Sequence, residues 1–164
     1  MERLTEKMFS EIVDKHADAV YSLAQYILRS KEDAKDAVQE TLLKVHRNYH
    51  QFDASRNLKN WITAITVNCC RDILRKRKST PSGEPMDPEQ FPDKKQGREQ
   101  VETALLVEEV LDRLNPDHRV SLLLFYMEGK TIKELAQIQG VPQVVVKVRL
   151  YRARKAAQKI LMEM

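Results

Sequence analysis

The apolar residues of this chain recur every three or four positions almost from end to end. Nowhere do apolar and polar residues alternate as a half-buried strand requires. Over residues 5–28, Phe9, Ile12, Val13, His16, Val20, Leu23, Ala24 and Ile27 fall on one broad stripe, which predicts a helix with a single buried face. Ser30, with Asp33 three residues on, caps a second helix over about 31–50 that turns Ala34, Val38, Leu42, Val45 and Tyr49 inward. Its first half is acidic and its second half basic, which suits the helix dipole. After the break FDASRN, Asn57 caps a third helix over about 58–78, with Leu58, Ile62, Ile65, Cys69 and Ile73 inward. Residues 79–100 lose the pattern and hold four of the six prolines and two of the four glycines, so they read as a flexible linker. Helical periodicity then returns, first over about 101–113 and next in a helix opened by Asn115–Pro116 and closed at Gly129. The expected fold class is all-α: two small helical modules, 1–78 and 101–164, joined by that linker.

The C-terminal stretch TIKELAQIQGVPQVVVKVRLYRARKAAQKIL is the most specific part of the pattern. Thr131 and Glu134 fit a capping box, Gly140 can stop the helix in the left-handed region, and Pro142 is pre-set for the first turn of another. Along that second helix Val146, Leu150, Ala153, Ala157 and Ile160 mark one apolar face, while Lys147, Arg149, Arg152, Arg154, Lys155 and Lys159 lie mostly off it. This is the form of a helix-turn-helix, whose second helix enters the major groove of DNA. The capped helix and glycine turn upstream weigh for it over a plain amphipathic helix with a solvated basic face.

Charge sharpens the picture. The net charge is only +4, but the cations cluster at Arg71–Lys78 and Lys147–Lys159, on either side of an acidic middle in which residues 79–100 hold 3 basic and 5 acidic side chains. No apolar run is long enough to span a bilayer, and MERLTEKMFSEIVDKH lacks a signal-peptide core, so a cytoplasmic protein without membrane insertion is expected. Cys69 and Cys70 are neighbours, unable to staple a fold and too few for a structural zinc site. His46 and His50 stand four apart without a third ligand, and His16 reads as a core histidine. With no phosphate-binding glycine loop and no nucleophile elbow, no catalytic residue, metal or cofactor is expected.

Taken together, these segments resemble the extracytoplasmic-function group of bacterial RNA polymerase sigma factors, over nearly the whole chain. EDAKDAVQETLLKVHRNYHQFD is similar to the family segment that docks on the clamp helices of core polymerase. NLKNWITAITVNCCRDILRKRK is similar to the segment that opens promoter DNA and reads its downstream element. LDRLNPDHRVSLLLFYMEGKTIKELAQIQGVP with KVRLYRARKAA is similar to the upstream-element reader. The resemblance implies a factor with RNA polymerase core and promoter DNA as partners, held inactive by an anti-sigma factor that in many members is membrane-bound.

The resemblance also implies site residues. Asp33, Asp36, Gln39, Glu40, Leu43 and Lys44 would face core polymerase. Asp53, Arg56, Asn57, Asn60, Trp61, Asn68, Arg71 and Arg75 would serve melting and the downstream element. Trp61 with the basic run Arg71–Lys78 pairs a stacking ring with cations, as single-strand binding requires; a plain core aromatic is the competing reading. Thr131, Gln143, Val144, Lys147, Val148, Arg149, Arg152 and Arg154 would serve the upstream element.

One departure stands out. Where the family usually has Gly-Thr this chain has Val144-Val145, and where it usually has Ser before Arg-Leu it has Val148. The valines could meet thymine methyl groups, form a patch for a protein partner, or be tolerated drift. Two further functions stay open on the sequence: a stand-alone helix-turn-helix regulator acting as a dimer, and a polymerase-binding adaptor that does not initiate.

Overall fold

The computed structural model describes residues 4–77 and 98–164, with the side chains of 98–101 excepted. Among the described residues all regular structure is helical. The expected linker 79–100 lies outside them except for its last three residues, which open a helix earlier than the sequence predicts.

In the first module α1 spans Glu6–Leu28, α2 Lys31–Asn48 and α3 Leu58–Arg77, with a 3-10 turn over Tyr49–Gln51. Each start is fixed locally: Thr5 Oγ1 accepts from Met8 N (3.1 Å), Ser30 Oγ from Asp33 N (3.3 Å) and Asn57 Oδ1 from Asn60 N (3.1 Å). The three helices pack on one another around Ile12, Val20, Val45 and Ile62, with Phe9, Val38, Tyr49, Leu58, Trp61 and Ile65 partly buried against that core. The buried face of α2 differs from the expected one. Ala34, Ala37, Thr41 and Val45 are buried, whereas Val38, Leu42 and Tyr49 are only partly covered. Small side chains at the centre of α2 admit close approach of its neighbours, so the helix rotates from where its largest aliphatics alone would put it. Likewise α3 buries Thr63 and Thr66, whose hydroxyls donate to the carbonyls of Lys59 and Ile62, both at 2.8 Å.

His16 is a core histidine, as expected, and burial holds its pKa below the ordinary 6.5, with Lys15 and Lys59 adding to the effect. Cys69 and Cys70 are buried and unpaired by any disulfide, and burial pushes the Cys70 thiol up to about 12. Neither thiol is a ready nucleophile.

Arg77, at the end of α3, joins all three helices. Its Nε donates to Asp33 Oδ2 on α2 (2.7 Å), its Nη2 pairs with the same carboxylate, and its Nη1 donates to the carbonyl of Leu28 at the end of α1 (2.9 Å). That end needs a partner, because the last carbonyls of α1 have no intrahelical donor once the chain turns at Arg29, which takes φ 56°. Both side chains of the pair are about 30% exposed, so solvent screens part of the interaction. Arg77→Ala is expected to lower the unfolding free energy by about 1–2 kcal/mol, the range for charge-assisted hydrogen bonds discounted for exposure. Urea titration of the full chain checks this.

In the second module α4 spans Arg98–Arg113, α5 Pro116–Leu122, α6 Ile132–Gln139 and α7 Gln143–Glu163. Asn115 caps α5 through Asp117 N (2.8 Å), with Pro116 in the first turn. The helix does run on toward Gly129, but Leu123–Met127 widens into a π turn in which Glu128 N reaches the carbonyl of Leu123. Leu123 and Leu124 within it are both buried. Gly129 and Gly140 take φ of +65° and +66°, each ending a helix in the left-handed region. Arg119 is buried and its Nη2 reaches the carbonyl of Leu114 (3.4 Å), at the end of the α4 segment.

Candidate functional site

Three surfaces carry the residues the sequence singled out. On α2, Asp36, Gln39, Glu40 and Leu43 are exposed. At 100° per residue they share an arc of about 100°. Leu43 is 48% exposed, an apolar residue set beside acidic and amide groups. Asp33 and Lys44 flank this stripe rather than join it. Both are half-buried, Asp33 held by Arg77 and Lys44 Nζ 3.8 Å from Asp72 on α3. Arg47, which the sequence reading passed over, is exposed on the same stripe one turn beyond Leu43.

The second surface runs along α3 and the loop before it. Asn60, Trp61, Asn68, Arg71 and Arg75 also share an arc of about 100°. Asn68 and Arg75 are exposed, and Asn60, Trp61 and Arg71 half-buried. Arg71 and Asn60 are engaged in interactions within the protein, and Arg75 pairs with Asp72. Trp61 is both core and surface. It packs against the core cluster, and its ring lies 5.2 Å from Phe52 and 6.4 Å from Tyr49, centroid to centroid. Its neighbours fix the ring while part of its surface stays open to solvent.

In the loop, local chemistry uses two of the three residues expected to serve the downstream element, Asp53, Arg56 and Asn57. The Asp53 carboxylate accepts from Ser55 Oγ (2.7 Å) and Ser55 N (2.9 Å). Those hydrogen bonds, with a smaller contribution from the Arg56 charge, hold its pKa below the usual carboxylate range. Asn57 caps α3. The Arg56 side chain is exposed. Of the basic run after Arg71, Arg77 turns inward to Asp33, and Lys78 lies outside the described residues.

The third surface is the helix-turn-helix. The capping box forms as expected, with Glu134 N to Thr131 Oγ1 at 3.1 Å and Thr131 N to Glu134 Oε1 at 3.2 Å. Thr131 remains exposed, but its oxygen serves the cap. Pro142 sits one position earlier than predicted, at the N-cap of α7, with φ −63° and ψ 154°. Its carbonyl accepts from Val145 N (3.0 Å) and Val146 N (3.3 Å) to start the helix. α7 packs on α5 and buries Val146, Leu150 and Ala153. Gln143, Val144, Lys147, Val148, Arg152 and Arg154 are exposed. Arg149 is half-buried and engaged within the protein. Arg154 is tethered: its Nε donates to Tyr126 Oη (2.7 Å), and its guanidinium lies 5.3 Å from the Phe125 ring centroid. No sequence signal pointed to Tyr126, which is 28 residues away. Tyr151, exposed on the outer line of α7, was legible from its spacing after Val144 and Val148 but was not picked out.

Among the described residues there is no group of three His, Cys, Asp or Glu placed to hold a metal, and no helix long and apolar enough to cross a membrane.

Residues 12–80 match the family Sigma-70 region 2, and residues 104–156 match Sigma-70 region 4. The chain is 33% identical over 153 residues to the ECF RNA polymerase sigma factor SigM of Mycobacterium tuberculosis, covering 93% of this chain and 76% of that protein. It is 26% identical over 168 residues to SigW of Bacillus subtilis, covering 95% and 90%. Its fold is similar to that of the sigma factor RpoE of Bartonella quintana, solved with the anti-sigma factor NepR, at a TM-score of 0.76, 24% identity and 95% and 98% coverage. It is also similar to CnrH, solved with the cytosolic domain of CnrY, at a TM-score of 0.69, 23% identity and 97% and 90% coverage. The chain belongs to the extracytoplasmic-function group of RNA polymerase sigma factors.

Structural and surface roles on α3 separate by stability. Trp61→Ala is expected to cost about 2–3 kcal/mol, below the range for a fully buried Trp because part of the ring is exposed. Asn68→Ala is expected to change stability by less than about 0.5 kcal/mol. Paired denaturation curves measure both.

Proposed function

We propose that this sigma factor grips core RNA polymerase through the α2 stripe of Asp36, Gln39, Glu40 and Leu43, with Asp33 and Lys44 acting as its structural edge. The α3 face then holds melted promoter DNA. Trp61 offers a stacking surface, Asn60 and Asn68 offer amides, and Arg56, Arg71 and Arg75 supply cations; Asp53 and Asn57 shape the loop that presents them. The exposed side chains of α7, Gln143, Val144, Lys147, Val148 and Arg152, read the upstream element, with Thr131 at the start of the preceding helix and Arg149 and Arg154 bracing α7 from its flanks. Residues 1–78 and 98–164 are the two working modules, and the stretch between them is the tether.

What supports this reading is that one chain carries both the region 2 and the region 4 family matches, each on helices where part of the expected face is exposed. A transcription initiation factor of this kind works in the cytoplasm, without cofactor or metal, and is not itself an enzyme. An anti-sigma protein is the natural regulator, since RpoE, whose fold is similar, was solved with the anti-sigma factor NepR, and CnrH was solved with the cytosolic domain of CnrY; a membrane-bound partner would hold the factor at the membrane.

The test is equilibrium binding of the labelled chain to core polymerase. Glu40→Arg reverses a charge at the centre of the stripe without touching the core. It is expected to weaken core binding by about tenfold or more, in line with the cost of misplaced charge at an interface, and to leave the denaturation midpoint unchanged. An unaltered dissociation constant would remove α2 from the interface. Dimeric binding of the chain alone to duplex DNA, with no affinity for core, would favour a stand-alone regulator.

A further inference from the structure

The four valines near the start of α7 do not share one role. Val146 is buried in the module core and Val145 is half-buried, but Val144 and Val148 are 65% and 43% exposed. They lie one turn apart, on the side of the helix opposite Val146, Leu150 and Ala153. Tyr151, 61% exposed, continues the same outer line by one more turn. A β-branched residue in an exposed helical position carries a small propensity cost and gains nothing from packing inside its own chain.

The borders of that line are cationic. Lys147 lies to one side and Arg152 to the other, while Lys155 stands over the Tyr151 ring with its Nζ 5.6 Å from the centroid. No acidic residue occurs on α7 before Glu163. An apolar centre line between two cationic borders matches the major groove, where a helix meets base edges along its centre and phosphates along its sides. A protein partner for so narrow an apolar strip would have to accept the cations as well.

We infer that Val144 and Val148 are specificity-determining residues that read thymine 5-methyl groups in the upstream promoter element. The inference rests on α7 being the upstream-element helix. The two side chains are about 6 Å apart along the helix, at 1.5 Å per residue, so the methyls they touch lie within about two base-pair steps of each other. At Val148, where the family usually has Ser, a hydroxyl contact is replaced by apolar contact, and at Val144, where it usually has Gly, apolar contact is added; both suit a methyl group that only thymine presents in the major groove.

Removal of the methyl group is the test. Holoenzyme assembled from the full chain and core polymerase selects promoters from a randomised duplex library. The selected upstream element is then made again with deoxyuridine in place of each thymidine, which leaves base pairing and phosphates intact. The wild-type holoenzyme is expected to lose about fourfold in affinity for each contacted thymine, the worth of one buried methyl group. The double variant Val144→Ser, Val148→Ser has nearly the same helix propensity. It is expected to keep core binding and helix content, to lose the sensitivity to uracil, and to select elements with thymine no longer preferred at those positions. If an upstream element is selected but uracil is silent throughout it, the inference is wrong and the upstream reading stands. The same holds if the double variant stays as sensitive as wild type. In either case the exposed valines are left to a protein partner. If no upstream element is selected at all, the reading of α7 fails and this inference fails with it.

Discussion

The burial of Val146, Leu150 and Ala153 on α7, each almost inaccessible to solvent, is the constraint on which the rest of the reading depends. A helix is a rigid cylinder with its side chains in fixed angular order, so seating one face decides which residues the opposite face offers. Three small or medium apolar residues one turn apart seat α7 against α5 and leave its outer line to Val144, Val148 and Tyr151. A slip of one position would turn cations inward, where an unpaired charge costs several kcal/mol. The rotational setting of α7 is therefore strongly specified, and so is the surface it turns to solvent.

The first module follows a similar division between groups used to hold the fold and groups left for partners. Arg77 and Asp33 look in sequence like members of the basic tail and the acidic stripe, yet they bind each other and the end of α1. Asp72 likewise draws in Lys44 and Arg75. What stays exposed along the α2 stripe is a narrower set than the sequence offers: Asp36, Gln39, Glu40, Leu43 and, one turn on, Arg47. The positions given to structure are those at the seams between helices, where an ion pair can satisfy a helix end and join neighbours at once.

Much of this was legible because it is local. Ser30, Asn57, Asn115 and Thr131 cap helices within three residues of themselves, and Gly129 and Gly140 take the left-handed turn that their lack of a Cβ allows. Features set by distant partners were not legible. The rotation of α2 follows from how closely its Ala and Thr residues let its neighbours approach, and the pairing of Arg77 with Asp33 spans 44 residues. The π turn at Leu123–Met127 has no local signature in the sequence, and the Tyr126 hydroxyl within it meets Arg154 28 residues on. At the candidate surfaces the residues that the sequence singled out fall mostly on three helices, and many of them on outward faces. The sequence could not tell which charged groups were already committed, because that depends on three-dimensional proximity.

The central claim is that this chain confers promoter choice on RNA polymerase, and multiple-round transcription with purified core polymerase on fragmented genomic DNA, with RNA 5′ ends sequenced, tests it most directly. The account predicts discrete start sites that appear only when the chain is added and that share two upstream elements at a constant spacing, one for each module. Core binding without such start sites would contradict it and would make the chain a polymerase-binding adaptor instead.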